Sequence, residues 1–227
     1  MLIYIVLKSV AKLMRTNLKK NEMKEFKISP SQCGKIMVNA RKKGELSKTT
    51  LSYVDEWVKE QIYGRRKDIS SKYLDKGNDV EDASIDYISK MLNLKGIKKN
   101  EELFENDFMK GTPDVITNDT VIDLKNSWDC FTFPLLETEI PNKDYFYQLQ
   151  CYMALTGKKK AKLIYTLMST PDALVPKWDK FNHNYEDIDS RYRIKVFSFD
   201  RDEDVIDEIK KRVLEIRQHV EVLTTFI

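Results

Sequence analysis

Gly111-Thr112-Pro113-Asp114-Val115-Ile116-Thr117-Asn118-Asp119-Thr120-Val121-Ile122-Asp123-Leu124-Lys125 reads as two short strands around a tight turn. Val115–Thr117 and Thr120–Leu124 are rich in β-branched residues, and Asn118-Asp119 suits a two-residue hairpin loop. With those two residues as the loop, Thr117 faces Thr120, Ile116 faces Val121 and Val115 faces Ile122. Asp114 then faces Asp123, with Cβ atoms about 5 Å apart. Lys125 shares their face and stands opposite Thr112. Like charges directly opposite destabilise a sheet, and a bound cation reverses that sign. Two carboxylates with open positions for water suit Mg²⁺.

The same stretch predicts a covered sheet. Val115, Ile122 and Leu124 lie on one face, while Ile116 and Val121 lie on the other, beside the charges. A strand apolar on both faces belongs in a sheet with a layer on each side. Carboxylates there are expensive unless paired or bound to a metal.

Working outward, a helix is predicted from about Ser71 to Leu92, with Ile85, Ile88 and Leu92 in one stripe. Glu81 falls in the middle of that stripe. It either pairs with a lysine or supplies a third carboxylate aimed at the sheet. Residues 101–110 read as a strand leading into the hairpin. After Lys125 comes a long loop with Pro134 and Pro141. It carries Trp128, Phe131 and Phe133, which either stack on a base or pack. A helix follows from Lys143 to Thr156, ended by Gly157. Gln148 shares its apolar-aromatic face with Tyr145, Tyr152 and Leu155, and a glutamine there needs a partner. Strands are predicted at 162–168 and 192–199, and an amphipathic helix over 202–223. Earlier in the chain, Ser29-Pro30 is a helix-start signal. The N-terminus it opens, with Ser31, Gln32 and Lys35, is either a phosphate site or a plain capped helix. A further helix is expected over 50–63.

Composition sets the bounds. The 227 residues suffice for a sizeable core. Net charge is +3, from 39 basic and 36 acidic residues, so no net negative charge repels a nucleic acid. Three widely spaced cysteines and two histidines argue against a disulfide framework, a zinc ribbon or a His-based zinc site, and fit a reducing cytoplasm. The apolar run Met1–Leu7 precedes its basic residues. That is the reverse of a secretory signal, and it is too short to span a membrane. Residues 1–22 are read as an N-terminal extension.

The order of residues is Glu81, Pro113-Asp114, Asp123-Leu124-Lys125, then Gln148-Leu149-Gln150-Cys151-Tyr152, and it resembles the PD-(D/E)XK nuclease superfamily. More narrowly it is similar to the YqaJ-type viral recombinases, to which bacteriophage lambda exonuclease belongs. Ile28–Ile36 looks like the opening helix of that family, with Gln32 and Lys35 where many relatives carry an arginine. The resemblance covers about residues 23–220. It implies an α/β fold with a restriction-endonuclease-like core, a central mixed β-sheet flanked by helices, forming one nuclease domain over 23–227.

The resemblance also implies metal-dependent hydrolysis of DNA phosphodiester bonds, most simply an exonuclease on linear double-stranded DNA. Glu81, Asp114, Asp123 and the Leu124 carbonyl are then metal ligands for Mg²⁺, which Mn²⁺ can replace. Lys125 orients the attacking water and stabilises charge, and acts as a base if its surroundings lower its pKa. Gln148 supports the catalytic set. Ser31, Gln32, Lys35, Thr112, Gln148 and Tyr152 contact DNA. The lysines of 158–162 line the DNA path. A single-strand annealing protein and further copies of the chain are the implied partners, with no membrane involved. The rival readings are an endonuclease or single-strand-specific nuclease of the same fold, a catalytically silent DNA-binding or assembly module, and a small structural phage protein.

Overall fold

The computed structural model describes residues 23–67 and 71–225, so the extension predicted at 1–22 lies outside the described residues. The predicted hairpin is present. Strand β3 (Val115–Ile116) pairs antiparallel with β4 (Thr120–Asn126), Val115 opposite Ile122 and Ile116 opposite Val121. Thr117 N–H donates to the Thr120 carbonyl at 2.9 Å and closes the Asn118-Asp119 turn. The register has a simple cause. Val115, Ile122 and Ile164 are at most 1 % exposed, and burying each contributes about 1.5–3 kcal/mol. A slip of one residue would put Asp123 among them instead.

β5 (Lys160–Thr166) runs parallel to β4, and β6 (Ile194–Asp200) antiparallel to β5, giving a mixed sheet of order β3-β4-β5-β6. Five α-helices surround it among the described residues: α1 (Cys33–Ile36), α2 (Lys48–Tyr63), α3 (Lys72–Met91), α4 (Asp144–Thr156) and α5 (Glu203–Thr225). Helix α3 covers one face, where Ile85 and Ile88 meet Val115, Ile122, Leu124 and Ile164. Helix α4 covers the other, where Leu149, Tyr152 and Met153 meet Val121, Leu163, Tyr165 and Phe197. Behind α4, a third cluster joins α1, α2 and α5 through Cys33, Ile36, Val54, Val58, Ile209 and Val213. All three cysteines are free thiols. No described helix is long and apolar enough to cross a membrane.

Three expectations change. Residues 101–110 do not form one strand leading into the hairpin. They fold back on themselves as β1 (Phe104–Glu105) and β2 (Lys110–Gly111), a separate two-stranded sheet. Because β2 ends at Gly111 and β3 starts only at Val115, the hairpin ladder stops at Val115–Ile122. The backbone pairings of Asp114 with Asp123 and of Thr112 with Lys125 do not form. The opening helix is also shorter than its start signal suggests. A 3₁₀ turn at Pro30–Gln32 runs into the single turn of α1. Ser29 makes no side-chain cap, its hydroxyl lying 3.3 Å from that of Ser31.

Candidate active site

Asp123 sits in the middle of β4 and alternation turns it toward α4. It is 1 % exposed, so its charge must be met inside the protein. Gln148 of α4 donates to its Oδ1 at 2.7 Å, which supplies the partner that a buried glutamine requires. The Lys125 ammonium lies 2.6 Å from Oδ2. The two form a close ion pair at the edge of the buried carboxylate.

Asp114 reaches the same place from the segment before β3. With the ladder ended, the Leu124 N–H donates to Asp114 Oδ2 at 2.7 Å. The backbone of Asp114 is fixed by its own carbonyl, which accepts from Asn100 N–H at 2.8 Å. Burial, and then the negative charge of Asp123, push its carboxyl pKa from 3.8 up to about 7. The two aspartates are thus an electrostatic pair even without backbone pairing. Two neighbouring carboxylates that share one lysine, one of them with its pKa raised by burial and by the other, are what a hard divalent cation would neutralise. The residues present therefore fit such an ion.

Burial acts to lower the pKa of Lys125, but Asp123, with Asp114 and Tyr145, outweighs it and the net shift is upward. Its ammonium stands 4.8 Å from the centre of the Tyr145 ring, a cation–π contact that adds to the preference for charge. The condition under which Lys125 would act as a base, a lowered pKa, is not met.

Glu81 on α3 takes the first of its two sequence alternatives. Its Oε2 lies 2.6 Å from Lys99 Nζ, while its charge still acts on Asp114. Among the described residues, no three acidic, histidine or cysteine side chains converge as a preformed metal cage. Leu124 meets this site through its amide.

The predicted DNA contacts fall into two groups. Tyr152 is buried beside Gln148, with its hydroxyl 3.4 Å from Gln148 Nε2. Burial, followed by the charge of Asp123, raises its pKa. The Ser31–Lys35 turn is brought against this wall through Pro30. A Cβ on Gly111 would lie 2.6 Å from the Pro30 ring and 3.3 Å from the Tyr152 ring, so only glycine allows that approach. Thr112, half-buried, follows directly. Ser31 is exposed, and Lys35 stands 5.3 Å over the Tyr53 ring. A helix of four residues offers little dipole to an anion.

Two participants carry no role that the sequence alone reveals. Tyr145 is visible there only as a face-mate of Gln148, three residues before it. Lys99 gives no signal, because its partner Glu81 lies 18 residues away. The aromatic loop largely packs. Trp128 makes edge contacts with Tyr73 and His183 at 5.2 and 4.9 Å, whereas Phe131 is 90 % exposed.

Neither family models nor curated proteins match this chain. Solved structures do. A phage-related exonuclease from Haemophilus somnus 129PT is 30 % identical, with a TM-score of 0.82 over 92 % of this chain and 97 % of its own. An alkaline exonuclease from Laribacter hongkongensis shares the fold at 16 % identity, with a TM-score of 0.64 over 88 % of this chain and 90 % of its own. The same enzyme in complex with dAMP superposes with a TM-score of 0.63 at 18 % identity.

Proposed function

This chain belongs to the family of phage-related exonucleases with a lambda-exonuclease-like PD-(D/E)XK fold, and from that premise we propose that it hydrolyses phosphodiester bonds at the ends of linear double-stranded DNA with Mg²⁺ as its metal. The observation that carries the reading is the pair of half-buried Asp114 and buried Asp123 against Lys125, with Gln148 fixing Asp123. Asp114 and Asp123 would hold the ion. Glu81 would join them by exchanging Lys99 for it, and the Leu124 carbonyl is the remaining candidate ligand. Mn²⁺ would serve the same oxygen donors. When bound, such an ion polarises the phosphoryl group and acidifies a coordinated water.

The chain's own groups do the rest. Gln148 holds Asp123 in one orientation, so that Oδ2 and not Oδ1 faces the reacting centre. The Leu124 N–H does the same for Asp114. Lys125, kept cationic by its neighbours, stabilises the negative charge that builds on the phosphate oxygens as the bond breaks. Tyr152 and the Pro30–Gly111 contact wall the site on the α4 side. The Ser31–Lys35 turn and Thr112 are within the reach of a DNA strand lying along that wall. The other strand, left single, would pass to an annealing protein, and several copies of the chain would act together. Three free thiols suit this work in a reducing cytoplasm.

The test is digestion of the same duplex in linear and in covalently closed circular form, with Mg²⁺ and with chelator. Nucleotide release from the linear form alone, and only with metal, is expected. Cleavage of the circle at a comparable rate would make the protein an endonuclease and overturn the proposal.

A further inference from the structure

On the α3 face of the sheet, beyond the end of that helix, lies a cavity of about 430 Å³. Its floor is Ile122, Thr120, Lys160 and Lys162, and its wall is the turn around Lys95 and Ile97. Alternation explains the floor. Lys160 pairs with Thr120 and Lys162 with Ile122, so both lysines point away from Asp123 and Lys125. The wall is shaped by Asn93 in the left-handed region, φ 51°, and by Ser89, whose hydroxyl donates to the Leu94 carbonyl at 2.9 Å.

Among the described residues, none of Lys95, Lys160 and Lys162 has a carboxylate within ion-pair distance. The lining acid, Asp119, is engaged by Thr120 Oγ1 at 2.9 Å. Lys158 approaches the same turn, donating to the Asn118 carbonyl at 3.0 Å. Three ammonium groups thus surround one concavity against the single lining carboxylate of Asp119, which Thr120 and Lys160 hold in its charged form, and the net positive balance favours an anion there.

We propose that this cavity is a second nucleic-acid contact, holding phosphodiester groups of duplex DNA away from the bond being cleaved. The inference rests on the exonuclease reading and adds a place to it. The two sites are near one another round the edge of the sheet. β3 is the edge strand, Thr117 lines the cavity, and Asp114 lies three residues before it. The chemistry favours a backbone contact over a base contact. No aromatic ring lines the cavity, and proteins that hold single strands stack bases on such rings. Lys95 and Lys160 are exposed and Lys162 is half-buried, which suits a chain of linked phosphates better than one free anion. The sequence placed the lysines of 158–162 on the DNA path. The structure puts two of them on the opposite face of the sheet from Asp123, where they can meet only a more distant part of the same duplex.

The experiment compares the unaltered protein with the triple variant Lys95→Gln/Lys160→Gln/Lys162→Gln, after circular dichroism has shown equal folding. Binding to a labelled duplex is followed by anisotropy in chelator, across a salt series. The slope of log affinity against log salt is expected to become shallower by about 2–3, at about 0.9 for each phosphate that is no longer neutralised. A labelled single strand of the same length should bind both proteins alike, and kcat at saturating duplex with Mg²⁺ should be unchanged while KM rises. An unchanged slope would overturn the inference, and so would equal weakening toward the single strand. Failure of the exonuclease reading has a separate signature, the absence of nucleotide release by the unaltered protein, and the slope comparison does not depend on that.

Discussion

Asp114 keeps its proton up to about pH 7 in the folded, metal-free protein, through burial first and Asp123 second, while the unfolded chain releases it near the ordinary 3.8. Below about pH 4 both states hold the proton and the group costs nothing. Between about 4 and 7 the unfolded state binds fewer protons, so folding stability falls as pH rises, and above 7 the loss is complete. Thermal denaturation in chelator should therefore give a lower Tm at pH 8 than at pH 5. Asp114→Asn should remove most of that difference, and Mg²⁺ should raise the Tm of the unaltered protein at pH 8 far more than that of the variant. Lys125 gives a second residue-scale prediction. Lys125→Met should lower kcat by about 10²–10³, the usual effect of losing one preorganised group facing a developing anion, with CD spectrum and Mg²⁺-induced Tm shift retained. A variant with unaltered kcat would remove Lys125 from the chemistry.

At the scale of elements, the site is an agreement between the hairpin, α3 and α4. Lys76 shows how α3 is held. It is fully buried and donates to the carbonyls of Ser127 and Trp128 at 2.7 and 2.9 Å, tying the helix that carries Glu81 to the end of the strand that carries Asp123 and Lys125. Burial lowers its pKa to about 8, against the pull of Asp129. Lys76→Ala takes the ammonium donor from the Ser127 carbonyl, leaves the Trp128 carbonyl with Thr170 Oγ1 at 3.3 Å, and opens a void where the stem lay. Urea denaturation should register a loss of about 3 kcal/mol or more. Gly111→Ala drives a Cβ to within 2.6 Å of the Pro30 ring. It should cost about 1–3 kcal/mol by overpacking and should raise KM as the Ser31–Lys35 turn moves off Tyr152.

These elements also show what the chain makes legible. From its turn out to Val115–Ile122 the hairpin could be read to the residue, because its turn type and its alternation each specify the register and they agree; the pairings read beyond, Asp114 with Asp123 and Thr112 with Lys125, do not form. Gln148 could be read because a polar side chain on an apolar helix face must find a partner, and the partner is Asp123. What could not be read depends on contacts between distant segments. The Glu81–Lys99 pair, the folding back of residues 101–110 into β1 and β2, and the one-turn length of α1 have no periodicity to announce them. The run at 158–162 was visible as positive charge, but the side of the sheet it faces was decided by its pairing with β4.

At the scale of the molecule, a mixed sheet sealed by helices on both faces carries the Asp114–Asp123–Lys125–Gln148 cluster on its α4 face. Catalysis at this cluster requires that its buried charges serve chemistry and not folding. The direct measurement is release of nucleotides from end-labelled linear duplex DNA by the unaltered protein and by Asp123→Asn, each with Mg²⁺ and with chelator. The asparagine keeps an oxygen for Gln148 and removes the charge. Release by the unaltered protein with Mg²⁺, and none in the other three reactions, is the predicted result. Release by Asp123→Asn at the unaltered rate, or by either protein in chelator, would contradict it.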